Sequence, residues 1–317
     1  MSLVLVPSMT QYLESRQSLV HFHDRPHALL IMLGPQDLLH WDLVPIAVLI
    51  LIIAIPFLYD SPKSAIRYHG CYVVYIATVS ITAFGSIPLF CLNPLNVKNI
   101  LFISKILKHV TKLIGITWEL RNGEILAEER GAVIVANHQS MIDILGMFNI
   151  WEVMDKCAAV AKKEIFYFWP FGLAAWLGGV VYIDRLNGPK AHEQIDKAAK
   201  LSVTHKVKLW IFPEGTRNDD GDNMLPFKRG AFKVAIGCQV PIIPVVFSPY
   251  YFINHKKRYF GQGKIIITAL PPISTEGLTM DDIDDVMART RKVMVEAQEA
   301  VCKEVRSTLP SNYINFD

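Results

Sequence analysis

The chain has 317 residues, enough for one large domain or two smaller ones with a sizeable core. Its 32 basic and 29 acidic residues leave a net charge of only +3, too little for the basic surface of a dedicated nucleic-acid binder. Apolar residues make up 51% and charged ones only 19%, with a mean hydropathy of +0.28, so part of this chain faces something other than water.

Residues 1–42 are mixed and broken by Pro7, Pro26 and Pro35. They lack a basic segment followed by an apolar stretch and a small-residue cleavage site, and so read as a leader rather than a removed signal peptide. Two apolar runs follow: "LVPIAVLILIIAIPFLY" at 43–59, 17 residues without a charge, and "GCYVVYIATVSITAFGSIPLFCL" at 70–92, 23 residues without one. A helix needs ~20 apolar residues to span a bilayer core. Joined by the short "DSPKSAIRYH", the two runs predict a membrane-embedded helical hairpin over 43–94, either two spans or a re-entrant pair. Lys98, Lys105, Lys108 and Lys112 come next and favour a catalytic domain on the cytosolic side, although Lys63 and Arg67 in the connector blur that signal.

From 95 to 317 the pattern is that of an α/β domain. β-rich apolar segments recur at 132–136, 157–161, 179–183, 207–212, 242–247 and 264–269. Helical stretches at 141–151, 188–204 and 229–238 separate several of them, which predicts a mixed sheet flanked by helices. The run "IFYFWPFGLAAWLGGVVYI" at 165–183 is 19 residues long and uncharged. Pro170, Gly172, Gly178 and Gly179 interrupt it, which favours a segment on the membrane surface or along an apolar groove over a third span. At the C-terminal end Thr279 and Asp282 form a capping-box start. Ile283, Val286, Met287, Val293, Met294, Ala297, Val301 and Val305 then recur at the spacing of an amphipathic helix packed on the domain. The five cysteines stand singly, as free thiols would in a reducing compartment.

Residues able to do chemistry gather where strands end. In "VIVANHQSMID" the strand ends near Ala136 and a helix starts near Ser140, with Asp143 in its first turn. The turn between them can fold His138 back onto Asp143, leaving one ring nitrogen to take a proton. Equally, Asp143 can cap the helix while His138 is a polar loop residue. "IFPEGTRN" at 211–218 leaves another strand. There Gly215 allows close backbone approach and Arg217 offers a planar cationic fork suited to phosphate. Lys228 and Arg229 in "LPFKRGAF" bring further positive charge before a helix, and Asp184 and Arg185 in "VYIDR" leave a third strand as either a structural pair or site residues. "VPIIPV" at 240–245 is a Pro-bracketed strand expected to shape the sheet edge and an apolar wall. No nucleophile elbow, HExxH or P-loop is present. A histidine base, an anion-holding loop and an apolar groove suit direct transfer of a fatty acyl group to a hydroxyl on a phosphorylated acceptor.

Four blocks in order, "NHQSMID", "GVVYIDR", "FPEGTR" and "VPIIPV", resemble those of the glycerolipid acyltransferases, especially the 1-acyl-sn-glycerol-3-phosphate (lysophosphatidic acid) acyltransferases of the animal alpha and beta type. The resemblance covers roughly 95–275 and implies the glycerolipid acyltransferase fold. It further implies that His138 is the general base, that Asp143 orients it, and that the acceptor's sn-2 hydroxyl attacks the acyl-CoA thioester to give phosphatidic acid and CoA. Glu214, Gly215, Thr216 and Arg217 would bind the acceptor, with Lys162 and Arg185 helping at its phosphate. Pro241 and Ile242 would lie near the acyl donor. No metal or tightly bound cofactor is implied, and the implied setting is the endoplasmic reticulum membrane. The motifs leave another lysophospholipid or glycerol-3-phosphate open as the acceptor.

Overall fold

Seven strands of alternating origin along the chain meet in one sheet. The computed structural model describes residues 64–184, 202–218 and 223–309, with isolated positions outside those spans. The first apolar run, Arg185 and most of 188–204 lie outside the described residues.

In chain order the elements are α1 (Ala65–Cys91), α2 (Lys98–Leu107), α3 (Val110–Leu113), β1 (Ile116–Arg121), α4 (Gly123–Ala127), β2 (Ala132–Ala136) and α5 (Asp143–Met154). Then come β3 (Cys157–Lys162), a 3-10 turn over Lys163–Tyr167, α6 (Phe171–Leu177), β4 (Val181–Ile183), β5 (Lys208–Ile211), α7 (Gly230–Cys238) and β6 (Ile242–Phe247). A two-stranded hairpin of β7 (Ile253–Asn254) and β8 (Tyr259–Phe260), the strand β9 (Gly263–Ala269) and the long α8 (Ile283–Thr308) complete the fold.

The sheet order is β1-β9-β6-β2-β5-β3-β4. Strands β6, β2, β5, β3 and β4 run parallel, while β9 is antiparallel to β6 and carries β1 parallel to itself. All six strands expected from the sequence are present, and β1 and the hairpin are additional. Every residue of β2 is buried, as a central parallel strand covered on both faces requires. Val133 and Val135 join Leu209, Phe232, Val286 and Met294 in the core beneath α7 and α8. On the opposite face α5 approaches so closely at Gly146 that an added Cβ would lie 2.6 Å from Trp118 and 2.7 Å from Phe247. β6 is an interior strand, which corrects the expectation that "VPIIPV" shapes a sheet edge. Pro244 is tolerated there because the ladder to β9 begins one residue later, at Val245. The sheet's edges are β1 and β4; β1 carries Glu119 and Arg121, and Arg121 is held by Glu304 of α8 through bonds of 2.6 and 2.7 Å.

The expected capping box at Thr279 and Asp282 forms, just ahead of α8. Ile283, Val286, Met294 and Val301 of that helix are buried. Val293 instead faces outward at 37% exposure, and Thr290 and Gln298 complete the buried stripe. Thr290 is accommodated by donating its hydroxyl to the Val286 carbonyl at 2.7 Å. Helix α1, the second apolar run, is long and apolar enough to cross a membrane. Its inner side is nonetheless packed on the body from Arg67 through Tyr75 and Val79 to Phe90, while Ile66, Val73, Ile76, Ile81 and Phe84 face outward. The 165–183 run breaks into the 3-10 turn, the seven-residue α6 and β4, so it is not a span. Its Tyr167, Phe168 and Trp169 are about two-thirds exposed, and Trp169 meets Phe84 of α1 edge to face.

Candidate active site

His138 leaves the carboxyl end of β2, and its Nδ1 lies 2.7 Å from Asp143 Oδ2. Oδ2 also accepts from the backbone amides of Gln139 and Ser140, so it is the acceptor toward the ring: Nδ1 donates to it and Nε2 is the nitrogen turned away from the carboxylate. The helix starts at Asp143, three residues later than expected. Asp143 Oδ2 reaches back to accept from the amides of Gln139 (2.8 Å) and Ser140 (3.1 Å), and the Ser140 hydroxyl accepts from Ile142 N–H at 3.3 Å. One carboxylate thus shapes the turn and holds the imidazole. The two readings of this stretch coexist.

The turn is fastened to neighbouring strands. Asn137 exchanges two hydrogen bonds with the Phe247 backbone (2.8 and 3.1 Å), tying the ends of β2 and β6. The Gln139 amide donates to the carbonyls of Phe247 and Ser248. Phe212 stacks on the His138 ring at 4.0 Å and 17°. From α1, the buried Tyr75 hydroxyl donates to the Met141 carbonyl at 3.0 Å.

A residue that sequence reasoning missed completes the dyad. The Tyr250 hydroxyl donates to Asp143 Oδ1, the carboxylate oxygen that His138 does not use. Burial, and then the Asp143 charge beside it, hold this phenol well above its ordinary value, so it remains a donor. Tyr250 follows β6 by three residues and Asp143 by 107, and no local signal in "SPYY" announces the contact.

The second loop, at the end of β5, turns on Gly215 with φ of +71°, a conformation that favours glycine. Glu214 is 3% exposed and points inward: Oε1 accepts His138 N–H at 2.8 Å and Oε2 accepts Leu225 N–H at 3.0 Å. Both oxygens are engaged with backbone, and Glu214 does not line the open groove. Glu214, expected to bind the acceptor, is here seen to fasten backbone on either side of the loop. The residue couples three segments: the base loop, its own loop and the segment leading into α7. Burial raises its carboxyl above the usual value, opposed by those two N–H bonds. Asn218 N–H donates to the His138 carbonyl at 2.7 Å and closes the connection from the other side.

Beside the dyad runs a groove of about 960 Å³ between the sheet edge, α1, α2, α5 and α6. Its walls are apolar, including Val79, Ile103, Trp151, Phe168, Ala175 and Ile183. Along its polar side stand His138, Lys162, Gly215, Thr216, Arg217 and Lys228. β2, β5 and β3 are adjacent strands, so their carboxyl ends bring His138, Arg217 and Lys162 to one edge, where α/β sheets bind ligands. Arg217, Lys162 and Lys228 have no carboxylate partner among the described residues, whereas Arg229 pairs with Asp284, and Asp184 accepts from Lys163 at 3.1 Å. Arg185 lies outside the described residues. Pro241 and Ile242 are not brought to this site. The Pro241 carbonyl accepts from Val133 N–H at the amino end of the strands, and at ~3.3 Å per residue the five positions from Val133 to His138 separate the two by roughly 16 Å. Among the described residues no group of three His, Cys, Asp or Glu side chains converges as a metal site would require.

An oriented imidazole, cations without a carboxylate partner among the described residues and a long apolar groove suit base-assisted group transfer to an amphiphile with an anionic head. Comparison with known proteins gives that class a family. The Acyltransferase family profile matches residues 117–248, the span from β1 through β6. The human 1-acyl-sn-glycerol-3-phosphate acyltransferase alpha is 38% identical over 242 residues, covering 76% of this chain and 84% of that one. The Escherichia coli 1-acyl-sn-glycerol-3-phosphate acyltransferase is 33% identical over 74% of this chain and 93% of its own length. The crystal structure of the 1-acyl-sn-glycerophosphate (LPA) acyltransferase from Thermotoga maritima shares the fold, with a TM-score of 0.58 over 74% of this chain and 97% of that one at 22% identity. The chain belongs to the family of 1-acyl-sn-glycerol-3-phosphate acyltransferases.

Proposed function

We propose that the protein transfers a fatty acyl group from acyl-CoA to the sn-2 hydroxyl of lysophosphatidic acid, yielding phosphatidic acid and CoA, at the endoplasmic reticulum membrane with its site toward the cytosol. The observation that carries this reading is the His138–Asp143 dyad opening onto an apolar groove that is also lined by Lys162, Arg217 and Lys228, which have no carboxylate partner among the described residues. The kinship with enzymes named for 1-acyl-sn-glycerol-3-phosphate supports the acceptor.

His138 Nε2 takes the proton of the acceptor hydroxyl as its oxygen attacks the thioester carbonyl. The tetrahedral intermediate collapses with expulsion of the CoA thiolate, which accepts the proton from the imidazolium. Asp143 keeps the ring in one tautomer and stabilises the imidazolium that forms between those steps. Arg217, with Lys162 and Lys228 along the same edge, holds the acceptor phosphate, and Gly215 and Thr216 let its head approach the loop. The acyl chains occupy the apolar walls. Direct transfer of this kind uses no metal and no resident cofactor. Glu214 acts through His138, as a positioning residue.

The test is acyl transfer by purified membranes supplied with acyl-CoA and a panel of acceptors: lysophosphatidic acid, other lysophospholipids and glycerol-3-phosphate. Phosphatidic acid formed from lysophosphatidic acid with stoichiometric CoA release, and a loss of about 10³-fold or more in kcat in His138→Ala, is the expected outcome. Near-normal transfer by His138→Ala would refute the base assignment, and preference for a different acceptor would refute the substrate.

A further inference from the structure

The β7–β8 hairpin ends in "NHKKRYF", and His255, Lys256, Lys257 and Arg258 at its tip are all exposed. The side chains of Lys256, Lys257 and Arg258 have no carboxylate partner among the described residues. Nor is one nearby in sequence: residues 249–275 contain no Asp or Glu, and neither do residues 61–118. Three fixed positive charges on one short hairpin tip repel one another, at a cost that no paired acid among the described residues offsets.

The tip is also held in place. The Tyr68 hydroxyl and His255 Nδ1 are 2.8 Å apart, Arg67 Nε donates to the Phe260 carbonyl at 2.9 Å, and Tyr72 packs edge to face on Phe260. All three anchors lie in the first turns of α1. On the outer side of those turns Ile66, Val73 and Ile76 are about half exposed, opening the apolar face that continues to Phe84 and Trp169. A basic tip is thus fastened to one end of an outward apolar helix face.

We propose that this tip and the outer face of α1 form one docking surface for an anionic bilayer, with the α1 face in the acyl region and Lys256, Lys257 and Arg258 among negatively charged lipid headgroups. It rests on the membrane reading above and adds a dependence on lipid charge. A basic residue near an anionic leaflet contributes about five-fold in attraction, so three contribute on the order of 100-fold at low salt. Because α1 also hydrogen-bonds the catalytic turn through Tyr75, seating this surface sets the groove against the leaflet that supplies the acceptor.

The tip carries its own probe, since trypsin cleaves after Lys256, Lys257 and Arg258. The full chain would be reconstituted in vesicles of phosphatidylcholine alone or with about 30 mol% phosphatidylserine, and cleavage at the tip compared with cleavage at Arg289 and Lys292 of α8. We expect the tip, and not α8, to be cleaved about ten-fold more slowly in the anionic vesicles, with protection lost near ~1 M salt, where the screening length falls to ~3 Å. Equal cleavage in both vesicles, or protection indifferent to salt, overturns the proposal. In a second arm, K256Q/K257Q/R258Q should transfer acyl groups normally in detergent micelles and lose any stimulation by phosphatidylserine. Retained stimulation likewise overturns it. The protease arm needs no acyl transfer, so its failure is separable from failure of the proposed reaction.

Discussion

Replacing Glu214 by Gln separates a positioning role from a substrate-binding one. In the native protein both carboxylate oxygens accept backbone N–H bonds, from His138 at 2.8 Å and Leu225 at 3.0 Å. The amide of E214Q can satisfy only one of these and presents an NH₂ group to the other. Losing a charge-assisted bond costs ~1.5–3 kcal/mol and stranding a buried donor ~1–3 kcal/mol. Relief of the burial that raises the Glu214 carboxyl offsets part of that loss, leaving a net destabilisation of about 2–3 kcal/mol. At roughly 2–4 °C per kcal/mol for a domain near this size, Tm falls by about 5–10 °C, readable from intrinsic tryptophan fluorescence during a thermal scan. Since His138 N–H is one of the two donors, the base loop loosens as well. A displacement near 1 Å costs about 10²-fold in rate, so kcat should fall by that order while the KM for lysophosphatidic acid changes less than about three-fold. If instead KM rises by ten-fold or more with kcat and Tm unchanged, Glu214 is an acceptor ligand and the positioning argument fails.

Two further substitutions test the remaining parts of the site. In Tyr250→Phe the Asp143 Oδ1 loses its donor, and we expect about a ten-fold drop in kcat at constant KM. A drop in Tm with kcat unchanged would reduce Tyr250 to a packing residue. Arg217→Ala should raise the KM for lysophosphatidic acid about 10–100-fold with kcat largely kept, the loss of one charge-assisted contact to phosphate. An unchanged KM removes Arg217 from the phosphate site.

The framework and the central residues were readable from the chain alone. Six strands were legible because buried parallel strands are short, uninterrupted apolar runs bounded by turn residues. The His138–Asp143 pair and the Gly215–Arg217 loop were legible because their partners are a few residues away, within the reach of one turn. The start of α8 was legible for the same reason: Thr279 and Asp282 satisfy each other locally.

Features that depend on partners far apart in the chain were not readable in this way. β1 escaped notice because an edge strand carrying Glu119 and Arg121 has no continuous apolar run, and its register is set by β9, more than a hundred residues on. The motif alone does not show that the two oxygens of Glu214 accept from amides 76 residues before it and 11 after it. Pro241 belongs to a familiar block yet lies at the wrong end of β6, because motif order along the chain does not say which end of a strand a residue occupies. The Tyr250 contact with Asp143 arises from packing alone. Sequence determined which groups could move a proton. The sheet's crossovers, by bringing the carboxyl ends of β2, β5 and β3 together against α1, decided which of them face the groove and which hold the others still.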